Sequence, residues 1–137
     1  MSLFRILDIA GSAMSAQSVR LNTTASNLAN ADSITSSADT TYRARRPVFA
    51  AALDNAMDGA SAGVEVTGIV ESDAPLIREY SPNHPLADKD GYIFRPNVNQ
   101  VEEMADMMSA SRAYQTNVQV ADSAKQMLLQ TLRIGKS

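Results

Sequence analysis

The sequence predicts a mainly α fold with a small β module, in which long N- and C-terminal helices pack as a coiled-coil-like pair flanking an irregular or β middle segment. Two observations carry that expectation. Proline and glycine are partitioned: all five prolines (Pro47, Pro75, Pro82, Pro85 and Pro96) and four of the six glycines (Gly59, Gly63, Gly68 and Gly91) lie between positions 47 and 96. The flanks hold no proline and only Gly11 and Gly135. Proline breaks helices and glycine loosens them, so the order reads helix, irregular middle, helix. Apolar residues in both flanks then recur at alternating steps of four and three, the spacing of a helical seam. The chain divides accordingly into an N-terminal helix (1–31), a loop and β module (32–96) and a C-terminal helix (97–137), the two helices forming one domain.

The first helix is expected from about Ser2 to about Ala29. Leu3, Leu7, Ala10, Met14, Gln17, Leu21, Thr24 and Leu28 form its stripe, mostly apolar. Ser2 is placed to cap its start. Asn27, Asn30, Asp32 and Ser33 carry side chains that compete for backbone bonds, and so mark its end. The second helix has stronger punctuation. Asn99 followed by Glu102 has the form of a capping box. Glu102, Glu103 and Asp106 open the helix, while Arg133 and Lys136 close it, a polarity that complements the helix dipole. Gly135 stands where a left-handed C-terminal cap is expected. The apolar stripe runs through Met107, Ala110, Tyr114, Val118, Ala121, Leu128 and Leu132.

Each helix should be roughly 40–50 Å long at 1.5 Å per residue. The middle segment is too short to cover both. Their seams are therefore expected to face each other, with Leu7, Met14, Leu21 and Leu28 meeting Tyr114, Val118, Ala121 and Leu128. The remaining faces are expected to meet other subunits. Ala10, Gly11, Ser12, Ala13, Ser15 and Ala16 would permit close approach on more than one side.

In the middle, Val64, Val66, Ile69 and Val70 follow Gly63 as a strand, with Gly68 marking a bulge. Leu76–Tyr80 reads as a second strand after Pro75. Asp88-Lys89-Asp90-Gly91 is a turn leading into Tyr92–Phe94. Residues 32–41 (DSITSSADTT) are polar enough to be expected as a mobile loop, or one that orders only on contact with a neighbour. Residues 54–63 read as a second flexible connection.

Composition narrows the function. A net charge of -3 offers no concentrated basic surface for nucleic acid. The absence of cysteine excludes disulfides and thiolate metal sites. Arg5 and Asp8 interrupt the apolar residues that a secretory signal would need, and no apolar run approaches the ~18 residues of a membrane span. Composition alone would make the chain cytoplasmic.

The search for chemistry finds no nucleophile elbow, phosphate loop, dinucleotide fingerprint or zinc-helix motif. His84, the single histidine, lies between Pro82 and Pro85 and reads as a surface turn residue. Asp88 and Asp90 fail the calcium-loop pattern after Gly91. Arg43, Arg45 and Arg46, with Tyr42 beside them, read as a solvated edge or a contact with an acidic neighbour. Met104, Met107 and Met108 read as adaptable packing. No catalytic, cofactor or metal residue is expected, and the chain reads as a structural subunit, not an enzyme.

Two stretches carry a resemblance. The first is Thr24-Ala25-Ser26-Asn27-Leu28-Ala29-Asn30. The second runs from Asn97-Val98 through Glu103-Met104 to Met107-Met108-Ser109-Ala110-Ser111-Arg112-Ala113-Tyr114-Gln115-Thr116-Asn117. Together they resemble the terminal signatures of the bacterial flagellar axial proteins, the family of rod and hook subunits, and the short middle matches its proximal rod members. The signature residues are Ser26, Asn27, Leu28, Ala29, Asn30, Glu103, Met104, Ala110, Ser111, Arg112, Tyr114 and Asn117. Thr116 stands where Ala is common in the family. The resemblance implies a subunit exported by the flagellar type III apparatus without a cleaved signal, polymerising in the periplasm as a torque-carrying rod. It implies as partners other copies, other rod proteins, the rod-base adaptor and the membrane ring, with no cofactor and no substrate. A cytoplasmic coiled-coil adaptor would explain the seams, but not the paired signatures. A small hydrolase would need facing carboxylates that the middle segment does not offer.

Overall fold

A computed structural model describes residues 3–52 and 63–135. The expected caps and connections at Ser2, Lys136 and 54–62 lie outside the described residues. The fold is mainly helical. Helix α1 spans Leu3–Asn30 and helix α2 spans Gln100–Ile134, with four strands between them. β1 (Arg45–Ala52) pairs antiparallel with β2 (Gly63–Glu71), and β3 (Ile77–Tyr80) pairs antiparallel with β4 (Tyr92–Arg95).

The helices are antiparallel. Asn27 near the end of α1 bonds Glu103 near the start of α2, and stepping back to Arg20 leads forward to Asp106. At 1.5 Å per residue α2 is roughly 10 Å longer than α1. Its last two turns extend beyond the start of its partner, and there Leu132 is 68% exposed and Ile134 76%.

The core is unusually thin in large side chains. Among the described residues its buried apolar side chains are Ala10, Ala16, Ala31, Ala44, Ala110 and Ala124, with Ile93 and Pro96 the larger ones. Alanine lets the helix backbones approach closely, but each methyl contributes only about 0.8 kcal/mol of burial. The leucines Leu3, Leu7, Leu21 and Leu28, with Met14, are half-buried along α1. On α2, Met107, Ala121 and Leu128 are half-buried, whereas Tyr114, Val118 and Leu132 are exposed.

The start of α2 is capped as expected, the Asn99 side chain accepting from the Val101 and Glu102 N–H groups. The reciprocal half of a capping box is replaced, because the Glu102 carboxylate accepts from Arg46 Nη2 at 2.8 Å. Gly135 departs from expectation. Its φ of -74° and ψ of -7° are right-handed, and its N–H bonds back to the Thr131 carbonyl at 3.1 Å. The last turn is exposed, so water satisfies its carbonyls and no left-handed reversal is required.

The β1–β2 ribbon joins one strand expected from the sequence to one that is not. β2 matches the expected strand and carries its bulge at Thr67, since Val48 pairs with Gly68 and Phe49 with Val66. In the sequence, β1 shows only its basic cluster. The ribbon lies beside α1: Val64 N–H donates to Ser12 Oγ at 3.1 Å near one end, and Arg45 meets Asn27 at the other.

β3 and β4 follow the expected turn, with the Asp88 carboxylate accepting from the Asp90 and Tyr92 N–H groups. Gly91 adopts φ +81°, a conformation that excludes most side chains. The polar loop after α1 is ordered within the chain, contrary to the expected mobility. Thr35 exchanges both backbone bonds with Phe94, at 3.1 and 3.0 Å, adding a residue to the edge of β4. A 3-10 turn over Ala38–Thr40 follows, and the Ser37 carbonyl accepts from the Thr35, Thr40 and Thr41 hydroxyls. Hydroxyls that a composition argument counts as solvated are here spent on local backbone.

Candidate functional site

The chemistry of this chain is concentrated where α1, α2 and β1 meet. Asn27 is 1% exposed and its amide makes four hydrogen bonds. Nδ2 donates to the Arg45 carbonyl (2.8 Å) and to Glu103 Oε2 (3.0 Å). Oδ1 accepts from Arg45 N–H (2.9 Å) and from the Tyr42 hydroxyl (2.8 Å). Two donors and two acceptor sites exhaust an amide's capacity. Toward Arg45 the side chain behaves as one rung of an extra strand, closing the outer edge of β1.

Asn97 pins the neighbouring residue. Its Oδ1 accepts from Ala44 N–H at 2.8 Å, and its Nδ2 donates to the Ser72 and Ala74 carbonyls. One turn further along the helix pair, Arg20 grips Asp106 through both carboxylate oxygens, Nε reaching Oδ2 at 3.2 Å and Nη2 reaching Oδ1. These hydrogen bonds hold the Asp106 carboxyl below the usual carboxylate range, and they raise the Arg20 guanidinium in turn. Burial opposes both shifts but is the smaller effect.

The basic cluster is consumed by the chain's own acids and carbonyls. Arg45 pairs with Glu71 at 3.2 Å, Arg46 with Glu102 at 2.8 Å, and Arg43 donates to the Ser72 and Ala74 carbonyls. The acids that open α2 therefore do more than complement its dipole: each meets a partner from another element. A groove of about 240 Å³ beside the junction is lined by Arg20, Thr24, Arg46, Pro47, Phe49 and Asp106, among others, and its charged groups are already engaged with each other.

Among the described residues no three metal-ligating side chains come together. His84 accepts from Leu86 N–H at 3.1 Å within its turn, and Asp88 is occupied by its own loop. No described helix is long and apolar enough to cross a membrane.

The structure brings part of the signature together. Asn27 and Glu103 meet directly, Ser26 Oγ lies 3.2 Å from the Tyr42 hydroxyl, and Ala110 is fully buried in the helix seam. Asn30 and Asn117 turn back onto their own helices, bonding the Ser26 and Ala113 carbonyls. Leu28 and Ser111 are half-buried, while Ala29, Met104, Arg112 and Tyr114 face outward. Of the proposed seam contacts, Tyr114 (38% exposed) and Val118 (36%) sit at its outer margin, and the deep positions are held by Ala110 and Ala124. Sequence reasoning missed the Arg20–Asp106 pair and the Asn97 clamp. A signal for the pair existed: Arg20, Thr24 and Asn27 share a face of α1 at steps of four and three, while Glu103, Asp106 and Ala110 share a face of α2.

A closely packed antiparallel helix pair, joined at one end by satisfied polar groups and leaving its large apolar side chains outward, defines a structural assembly subunit. Residues 7–36 match the family model described as Flagella basal body rod protein, and residues 89–134 match Flagellar basal body rod FlgEFG protein C-terminal. The chain is 51% identical to the flagellar basal-body rod protein FlgC of Salmonella typhimurium, over 99% of this chain and 100% of that protein. FlgC of Escherichia coli O6:H1 is 52% identical over the same shares, and FlgC of Borreliella burgdorferi is 36% identical over 98% of each chain. The chain belongs to the FlgC family of flagellar basal-body rod proteins, and is a structural subunit of the rod.

Proposed function

We propose that this rod subunit acts by assembly alone, polymerising with copies of itself and with other rod proteins into the shaft that carries torque from motor to hook. One observation supports this above the rest. The buried apolar residues of the two helices are all alanine, while Phe4, Val101, Met104, Met108, Leu132 and Ile134 are each more than half exposed. A chain that leaves its largest apolar groups outside stabilises itself chiefly by covering them with neighbours. Contacts of this kind that do not close on themselves generate helical assemblies.

The finer roles follow from the same reading. The subunit passes through the flagellar type III export apparatus without a cleaved signal and is laid down in the periplasm. Its neighbours there include the rod-base adaptor and the membrane ring. It turns over no substrate.

A strain lacking the gene tests the reading. Swimming should be lost, basal bodies should lack rod and hook, and the intact gene should restore both. Normal flagella in that strain would overturn it. Leu132→Asp separates assembly from folding. At 68% exposure the substitution should leave the monomer's stability within about 0.5 kcal/mol while abolishing motility.

A further inference from the structure

Glu103 is a buried carboxylate, 3% exposed, and one of its partners is the Asn27 amide. That contact determines more than a helix crossing. Arg45 N–H and the Tyr42 hydroxyl require an acceptor from Asn27, and the Arg45 carbonyl requires a donor. An ionised carboxylate accepts only. With Glu103 seated, the nitrogen end of the amide must face Glu103 and the Arg45 carbonyl. A flipped amide would set nitrogen against Arg45 N–H and oxygen against both the Arg45 carbonyl and the carboxylate. One side chain on α1 thus closes a bond to α2 and serves as the edge partner of β1, and both sets of bonds require the same orientation of the one amide.

We propose that Asn27 is a coupling clasp: the β1–β2 ribbon is held in place on α1 only while Glu103 of α2 is seated against it. Closure of the helix pair then governs when the ribbon's exposed Val48, Phe49, Ile69 and Val70 are presented in a fixed position. The ribbon's other attachments are weaker candidates for this control. Ser12 and Asn97 hold it through single neutral bonds, to Val64 at the far end and to the Ala44 N–H just before β1, while Arg46 reaches Glu102 in an exposed pair worth little and Glu103 only at 3.9 Å. That fixed presentation serves rod contacts rests on the assembly reading above. The coupling itself does not.

Hydrogen exchange on the full chain at neutral pH tests the coupling without reference to motility. Glu103→Ala removes the acceptor, and should speed exchange of the Arg45 amide and of the β1–β2 ladder on the order of thirtyfold, the factor expected for one buried bond to a charged group. The central amides of α1 and α2 should change far less. Glu103→Gln keeps an acceptor oxygen but loses the charge, and should fall between the parent and Glu103→Ala. Asp106→Asn loosens the same seam one turn away, without touching Asn27, and should spare the ribbon. Unchanged ribbon exchange in Glu103→Ala would overturn the proposal, as would equal acceleration in Glu103→Ala and Asp106→Asn. Should Glu103→Ala fail to fold, Tyr42→Phe carries the test, since it removes one donor from the same amide. Coupling is reciprocal, so the Arg45 amide and the first turn of α2 should then exchange faster together. Acceleration of one without the other would overturn it.

Discussion

Asn27→Asp changes one buried NH2 to an oxygen and leaves shape intact, so its cost can be worked from the bonds lost. The variant keeps the acceptor that serves Arg45 N–H and Tyr42, but forfeits the donor to the Arg45 carbonyl at 2.8 Å and to Glu103 at 3.0 Å. The first is a neutral bond worth about 1 kcal/mol, and the second ends on a carboxylate and is worth about 2 kcal/mol. The substitution also sets two carboxyls against each other in a buried site, which drives the introduced group to hold its proton to higher pH than the ordinary ~3.9. Each unit of that shift costs about 1.4 kcal/mol at neutral pH. The expected loss is therefore roughly 3–5 kcal/mol at pH 7, a large part of the 5–15 kcal/mol typical of a domain.

The pH dependence has a definite sign. A folded-state carboxyl pKa raised above its unfolded value destabilises the fold above that unfolded value, and stability returns as pH falls through the folded pKa. The regained proton also restores a donor toward Glu103. Urea unfolding followed by circular dichroism, for parent and variant at pH 7 and pH 5, measures both effects. The gap should be wide at pH 7 and narrower at pH 5. A variant within about 0.5 kcal/mol of the parent at pH 7 would refute the reasoning, as would a gap independent of pH.

Other substitutions probe separate joints. Asp106→Asn should cost about 1 kcal/mol at neutral pH, a figure discounted because the pair is partly exposed at 24% and 28%. Arg20 lowers the Asp106 pKa, so the parent's advantage is present above the unfolded value near ~3.9 and should vanish as pH falls through the folded one; pH-dependent melts check this. Gly91→Ala would place a methyl 2.9 Å from Tyr80 Cε2 at φ +81°, and should cost about 2 kcal/mol in thermal melts, with faster exchange confined to β3–β4. Asn99→Ala removes the side-chain acceptor for the Val101 and Glu102 N–H groups and should cost about 1 kcal/mol by urea unfolding, fraying the first turn of α2.

Both helices were legible because proline and glycine avoid the flanks and because Asn99 announces a cap. β2, β3 and β4 were legible from Gly63, Pro75 and the Asp88–Gly91 turn. β1 was not, because Arg45–Ala52 has no alternating face: all six of its residues other than Pro47 and Ala52 are exposed. Its strand state comes from β2 and from Asn27, neither of which is local. The order of the loop after α1 was illegible for a similar reason, since Phe94 supplies its backbone partners from almost sixty residues away. The helix seam was half legible. A periodicity argument weights large apolar residues and so favoured Tyr114 and Val118, whereas close approach selects Ala110 and Ala124. In a chain with apolar side chains both inside and outside, hydrophobic spacing alone does not separate the seam from the face left for neighbours.

That ambiguity explains why the junction is polar. A seam lined with alanines is smooth, and sliding one helix by a turn, about 5.4 Å, would exchange one methyl contact for another at little cost. The same slide would separate Asn27 from Glu103 and Arg20 from Asp106, leaving one Asn27 N–H unpaired and stripping Glu103, Arg20 and Asp106 of these bonds. Losing one member of such a pair costs more than the pair contributes, so the wrong register is penalised more strongly than the right one is favoured. A subunit repeated along a shaft needs every copy to offer the same outer face. Alanines provide the close approach, and the polar junction at one end selects a single register from among the many they would allow.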